Sequence, residues 1–382
     1  MSRSSPTQFT IWGHSYCRST AATYLALKDI YPAEIDVVIC GAADPGLRLH
    51  AGFRSDEFPQ ESFLAVAPSM EDALRILTER ARGIHMFCAY HGNPLYKRLL
   101  DTALALNVEY VIASEAPENM EKNVFGRVAK EAFIRTYLRY KVEKYIKGSR
   151  FIVSFSGDST DRLRQVGWPL SKIEKFGYYP PPLISARPEM VLPQRPAPCR
   201  PGPLIFLLSG THCRHKSPAT LVDAAEHLVR WGLGDQFRCI VTGAGLQTRQ
   251  MENKSSALYL PIEFRGFVQL NELITLYRTS DLFVATGTNE PWGIRVNDAM
   301  QLGCPSIVSS GMGAAALVKE DQNGWIYRSS SSLELAKRMR ELIENRLKVQ
   351  SAQDYLRVND EISPEFQAGR LAAILKRRLR FV

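Results

Sequence analysis

Thr286-Gly-Thr-Asn-Glu-Pro-Trp-Gly-Ile-Arg-Val-Asn-Asp-Ala-Met-Gln-Leu-Gly-Cys-Pro305 decides how this chain folds. Leu282, Phe283, Val284 and Ala285 before it read as a buried strand, and Ser306, Ile307 and Val308 after it as the next. Between them, Pro291 and Gly293 mark where a helix begins. Val296, Ala299 and Met300 then recur at helical spacing, so that helix buries one face. Free backbone N–H groups at its start, with the helix dipole, favour an anion in the crevice above the sheet. Glu290 stands before the helix and Asp298 inside it. Carboxylates accept hydrogen bonds from several hydroxyls, so an anion nest flanked by two acids suits a sugar nucleotide.

The same alternation extends to both sides. Strands are expected at Leu204–Leu208, Cys239–Val241 and Glu263–Phe264. Nearer the N-terminus they are expected at Phe9–Trp12, Ile35–Cys40, Ile84–Cys88, Tyr110–Ala113 and Phe151–Phe155. Helices are expected at Ser19–Leu27, Leu95–Leu106 and Glu365–Arg380. Alternating strands and helices imply parallel sheets covered on both faces, an α/β chain with two doubly wound, Rossmann-like domains. Proline crowds Tyr179-Pro-Pro-Pro182 and recurs at 193, 196, 198, 201 and 203. Proline prevents regular pairing, so residues 181–203 read as a connection between domains 1–180 and 204–360, with a last helix in 361–382.

Composition narrows the function. The chain has 382 residues, 45% of them hydrophobic, with no apolar run of about 18 residues that would span a membrane. The opening Met-Ser-Arg-Ser-Ser-Pro-Thr-Gln lacks the apolar stretch of a secretory leader. Seven cysteines without paired spacing fit a reducing cytoplasm, and none has zinc-ligand spacing. A net charge of +9 favours anionic partners. No nucleic-acid-binding signature accompanies it.

Ser209-Gly-Thr-His-Cys-Arg-His-Lys216 follows the strand at Leu204. Gly210 permits close backbone approach. Arg214 and Lys216 would face the phosphates of such a nucleotide, as charge-assisted hydrogen-bond donors. Glu115, at the end of its strand, is a candidate acceptor contact. Residues 127–147 mix Arg135, Arg139, Lys141, Lys144 and Lys147 with Phe133, Tyr137, Tyr140 and Tyr145. That pattern suits either peripheral contact with an anionic membrane or an amphipathic surface helix.

These residues resemble glycosyltransferase family 4, the retaining transferases of GT-B fold with a Glu-x7-Glu signature. Glu290-Pro-Trp-Gly matches the family's Glu-Pro-Phe-Gly, and the second acid, eight residues on, is Asp298. Ser280-Asp-Leu-Phe-Val, Gly303-Cys-Pro and Asn323-Gly follow the family pattern as well. The likeness runs from about Leu204 to Ile343 and is fainter in the first half.

The resemblance implies two domains facing across a cleft, with the last helix returning to the first. It implies that Glu290 contacts the transferred sugar, that Asp298 holds the ribose, and that Pro291, Trp292, Gly293 and Ile294 line the donor site. Lys216 falls on the family's phosphate-binding Lys, whereas Thr211 stands where the family has Arg. Gly243-Ala-Gly245 resembles the turn below the nucleotide, and Arg265-Gly-Phe267 the segment bracketing the base. His91, with His14 behind it, resembles the N-domain histidine that faces the donor sugar. Gly13 and His14 fall on the acceptor loop. No metal is implied, and the acceptor would be a glycan, a lipid-linked sugar or a small molecule.

Three functions fit. One is a cytoplasmic retaining glycosyltransferase, a hexosyl- or related transferase, with peripheral membrane contact if its acceptor is lipid-linked. A second is a sugar-nucleotide epimerase or a phosphorylase on the same fold. The third is a non-catalytic glycan- or polyanion-binding protein with a degraded site.

Overall fold

The computed structural model describes residues 8–13, 18–31, 34–40, 63–90, 92–117, 124–157, 160–197 and 201–379. They form two compact units. One contains the described residues up to Pro181 and those from Ser363 onward; the other runs from Pro182 to Ile362.

In the first unit, strands β1 (Gln8–Gly13), β2 (Glu34–Ile39), β3 (Ala65–Val66), β4 (Ile84–Phe87), β5 (Glu109–Ser114), β6 (Ile152–Ser154) and β7 (Ile173–Lys175) make one sheet. Their order is β3-β2-β1-β4-β5-β6-β7, with every pair parallel. A parallel sheet is covered on both faces, so its strands read as continuous apolar runs. Phe9, Ile11 and Trp12 of β1 and Val111 and Ile112 of β5 are accordingly buried. Helices α1 (Arg18–Ile30), α2 (Met70–Glu79), α3 (Pro94–Ala105), α4 (Val124–Phe133), α5 (Arg139–Gly148) and α6 (Thr160–Gln165) lie between the strands in the chain. Asn93 caps α3, its Oδ1 accepting from Leu95 N at 2.8 Å, and Pro94 follows where no N–H is needed. Such a cap stabilises a helix by about 1 kcal/mol.

His85 of β4 is fully buried. Trp12 Nε1–H donates to His85 Nδ1 at 3.0 Å, so Nε2 carries the ring proton and donates to Arg80 O at 3.0 Å. Burial lowers its pKa to about 4.

The basic, aromatic stretch 127–147 is not one helix. A π-helical segment, Ile134–Leu138, joins α4 to α5. Phe133, Tyr137 and Tyr140 are exposed, but Tyr145 is buried and its hydroxyl donates to Asp101 at 2.8 Å. Tyr145 therefore belongs to the core and not to the outer aromatic face.

In the second unit, β8 (Leu204–Ser209), β9 (Phe237–Thr242), β10 (Ile262–Gly266), β11 (Leu282–Ala285), β12 (Ser306–Ser309) and β13 (Gly324–Tyr327) form a parallel sheet ordered β10-β9-β8-β11-β12-β13. Helices α7 (Ala219–Arg230), α8 (Thr248–Ala257), α9 (Leu270–Thr279), α10 (Arg295–Gln301), α11 (Ser332–Glu344) and α12 (Arg346–Val358) complete the unit. Phe206, Cys239, Leu282, Trp325, Leu335 and Met339 meet in one core. Truncating a buried aromatic such as Trp325 to Ala would cost about 3–5 kcal/mol.

The proline-rich stretch is fixed to this second unit. Arg195 donates to Ser280 O, Tyr277 O and Leu302 O, each at 2.7 Å. These three acceptors lie at helix ends, where carbonyls lack helical partners. The final helix α13 (Pro364–Leu379) belongs to the first unit and packs on α1. There Arg377 pairs with Glu174 at 2.7 Å, and Arg370 Nη2 donates to Lys175 O at 3.3 Å.

Candidate functional site

The order of the second sheet locates its crevice. From β8 the chain winds outward to β10, then returns as β11 on the other side of β8. The loops leaving β8 and β11 diverge at that reversal and open a gap beyond the carboxyl ends of the strands. A pocket of about 430 Å³, counted with its open mouth, lies there. Ser209, Gly210, Thr211 and Lys216 come from the loop after β8, and Thr286 and Gly287 from the end of β11. Gly293, Arg295 and Met312 line it as well, and Leu208, Phe283 and Val284 are among its apolar residues.

Backbone bonds hold these loops in register. Thr286 Oγ1 donates to Lys216 O at 2.8 Å, and Thr288 N to His215 O at 2.9 Å. Glu290 is fixed on both sides: its N donates to Gly311 O at 3.1 Å, and its O accepts from Gly313 N at 3.0 Å. The Gly311–Gly313 turn is thus a support for Glu290. With the main chain fixed, the Glu290 carboxylate, only 12% exposed, reaches Lys216 Nζ at 2.8 Å. His215 Nε2 lies 3.8 Å from the same oxygen. An ammonium that lines the pocket thus meets a carboxylate and an imidazole just outside the lining. The ammonium can receive a phosphate oxygen and the carboxylate a sugar hydroxyl.

The glycines of this region serve close approach. Gly243 has φ +103°, and a Cβ there would come 1.8 Å from Gly210 O. A Cβ on Gly245 would come 2.4 Å from His212 O. The loop after β9 therefore packs backbone to backbone against the loop after β8, Gly243 on Gly210 and Gly245 on His212. Gly293 has φ +101°, and a Cβ there would meet Met312 Cε at 2.3 Å. His212 is buried, with Nδ1 2.8 Å from Thr248 Oγ1; burial lowers its pKa.

The other sequence-derived candidates spread out. Trp292 is buried, and its Nε1–H donates to Asn297 Oδ1 at 2.8 Å, so it anchors the loop from inside. Pro291 is half-buried beside it, and Ile294 immediately precedes α10. That helix has only seven residues and no side-chain cap. Asp298 is 1% exposed, and its Oδ2 lies 3.5 Å from Arg295 Nη1. Arg214 is exposed and is not part of the pocket lining; Phe267, after β10, is exposed as well. In the first unit, Gly13 ends β1 and Glu115 follows β5, half-buried. His14 and His91 lie outside the described residues.

Arg295 and His215 were missed by sequence reasoning. Arg295 had a visible signal, an acid three residues on at a helical spacing where side chains meet. His215 sits beside Lys216 in the chain, but only the backbone bond from Thr288 brings it to Glu290.

Comparison with known proteins agrees with this fold. Residues 195–358 match the family model described as "Glycosyl transferases group 1". A stretch of 93 residues is 32% identical to an uncharacterized glycosyltransferase of Methanocaldococcus jannaschii, and the chain spans only 24% of that relative's length. The structure of Anabaena HepE in complex with UDP superposes with a TM-score of 0.65 at 14% identity, over 97% of this chain and 100% of that one. HepE in complex with UDP-glucose gives 0.60 at 14% identity, over 97% and 99%. A glycosyltransferase of Rickettsia africae gives 0.65 at 14% identity, over 99% and 100%. The fold is that of GT-B glycosyltransferases, two parallel α/β units of Rossmann-like type. The family match and these relatives support a transferase.

Proposed function

We propose that this chain is a retaining glycosyltransferase that moves a sugar from a nucleotide-sugar donor to a hydroxyl acceptor. The observation that carries the proposal is that Lys216, which lines the β8/β11 pocket, pairs with Glu290 at 2.8 Å. In this reading the donor's diphosphate lies over Gly210, where the absence of a side chain lets the backbone approach it. Lys216 moves from Glu290 to the diphosphate and stabilises the charge that grows as the anomeric C–O bond breaks. Glu290 is then free to bind hydroxyls of the sugar. The acceptor oxygen bonds to the anomeric carbon on the face the diphosphate leaves, and the acceptor's proton passes to a diphosphate oxygen. Retention of configuration rests on the resemblance to family 4.

The donor to test first is a uridine diphosphate sugar, because HepE binds UDP and UDP-glucose. The acceptor is a glycan, a lipid-linked sugar or a small molecule, with Gly13, His14, His91 and Glu115 as the residues to test on the acceptor side. Phe133, Tyr137 and Tyr140 are exposed in the first unit, with Lys141 stacked over Tyr137 at 5.2 Å. That surface favours a cytoplasmic protein that touches anionic lipid where its acceptor is lipid-linked. No described helix is long and apolar enough to cross a membrane.

The experiment is to incubate the protein with UDP-, GDP- and ADP-sugars and follow the products. Slow release of free sugar and nucleoside diphosphate, retaining the anomeric configuration at first formation, is the expected result. An epimerised nucleotide sugar would point to an epimerase. Failure of every nucleotide to raise the melting temperature would remove the proposal.

A further inference from the structure

We propose that Arg295 is the second cation of the nucleotide pocket, contacting the diphosphate beside Lys216, and that Asp298 positions it. The inference rests on the nucleotide reading above and assigns a residue that reading leaves unused. Charge balance is the starting point. A nucleoside diphosphate brings at least two negative charges into a pocket lined in part by apolar residues. Lys216 supplies one positive charge and is already held by Glu290. Thr211, next to Gly210 and also on the lining, has no charge. Arg214 is exposed and does not line the pocket. Among the described residues that line it, Arg295 is the remaining cation.

Its geometry suits the task. The Arg295 side chain is 35% exposed, whereas Asp298 is 1% exposed. The carboxylate is therefore fixed in the interior, beside a residue that also lines the pocket. A guanidinium has five N–H donors in a planar fork, so one edge can stay on Asp298 while another meets a phosphate. Their separation of 3.5 Å is a loose pairing that leaves donors available. Burial acts to lower the Arg295 pKa, but Tyr277 and Asp298 outweigh it and hold the pKa above its ordinary value. The contact uses the side chain and does not depend on the backbone of the short helix α10. On this account Asp298 acts on the phosphate through Arg295 and does not itself hold the ribose.

The test is isothermal titration of the full chain with UDP, GDP and ADP, at low and at raised salt. Arg295→Ala should weaken the nucleoside diphosphate that binds by about 10- to 100-fold, as expected for lost hydrogen bonds to a charged group. Its affinity should also depend less steeply on salt. Arg295→Lys should recover part of the loss, and the Arg295→Ala/Thr211→Arg double variant should recover more, because it returns a guanidinium to the same rim. Arg295→Gln/Asp298→Asn leaves no unpaired buried charge and gives the same readout if Arg295→Ala fails to fold. For Asp298, the 2′,3′-dideoxy form of the nucleotide is compared with the parent. The account predicts that Asp298→Asn weakens both forms equally, whereas a penalty confined to the parent form would return Asp298 to the ribose and overturn its assignment. Unchanged affinity in Arg295→Ala would overturn the role of Arg295. If the unmodified protein bound none of the three nucleotides, the nucleotide reading itself would fail, a result distinct from the other two.

Discussion

The two sheets reverse their winding at equivalent places, between β1 and β4 in the first unit and between β8 and β11 in the second. What the chain puts there differs. Beyond β1 and β4 the described groups are inward-facing: Tyr24 Oη lies 3.0 Å from Cys88 Sγ, and the Tyr96 hydroxyl donates to Trp12 O at 2.8 Å. Burial pushes the Cys40 thiol up to about 11, so it stays protonated at neutral pH. Beyond β8 and β11 lie Lys216, Glu290, His215 and Arg295. One topology thus creates two crevices, and among the described residues the charged cluster stands at the second. At the second, backbone bonds between the loops fix where those charged side chains start.

Removing the charged pair should break this contrast most strongly. Lys216→Ala and Glu290→Ala should each lower turnover by about 10²- to 10³-fold, the scale of losing one preorganised transition-state contact. Lys216→Ala should also lower the melting temperature, because it leaves the largely buried Glu290 carboxylate without its ammonium, whereas Glu290→Ala leaves only a half-buried Lys216 and should lower it less. Steady-state rates with the preferred donor check the first point and calorimetry the second.

Next is the support behind the pocket. Gly243→Ala places a methyl 1.8 Å from Gly210 O at a φ of +103°. It should cost about 3 kcal/mol of stability through overpacking and backbone strain, and donor affinity should fall with it. Denaturant midpoints measure the former. A midpoint equal to that of the unmodified protein would show that the two loops do not depend on each other.

Both units bury a histidine whose pKa is lowered, His85 in the first and His212 in the second, and the larger response to acid should come from His85. Folded His85 titrates near 4, below its usual 6.5, so between these values the unfolded chain binds more protons than the folded one. Stability is therefore full above about pH 6.5 and is lost as pH falls toward 4. The loss should approach about 3 kcal/mol, because each tenfold difference in proton affinity between the folded and unfolded chain is worth about 1.4 kcal/mol. His85→Gln should flatten that part of the pH–stability curve. The smallest effect is expected from Trp292→Phe, which keeps the ring but leaves Asn297 Oδ1 without the indole donor. About 1 to 2 kcal/mol of stability should be lost, with donor affinity nearly intact.

The central strands were legible because a parallel sheet demands apolar runs. Leu282–Ala285 was bounded correctly, and β1, β5 and β8 to within a residue at each end. Ala65–Val66 and Ile173–Lys175 were not, because two or three edge residues carry no period. Gly324–Tyr327 was missed as well, since Gly and Trp there obscure a short run. The π-helical segment left no mark, since Ile134 and Leu138 fit an ordinary helix equally well. Within the site, Lys216 and Glu290 were named from the sequence. Their mutual contact was not, because it depends on main-chain bonds between loops some 70 residues apart. Gly243 and Gly245 fit a turn below a nucleotide by their sequence; that they pack against Gly210 and His212 is a contact only the fold shows.

Everything proposed for catalysis depends on the pocket between β8 and β11 receiving the phosphates. A crystal structure of the protein soaked with the nucleoside diphosphate that most raises its melting temperature tests this directly. Phosphate density over Gly210, within hydrogen-bonding distance of Lys216 Nζ, is the predicted result. Nucleotide bound elsewhere, with Lys216 still paired to Glu290, would contradict it.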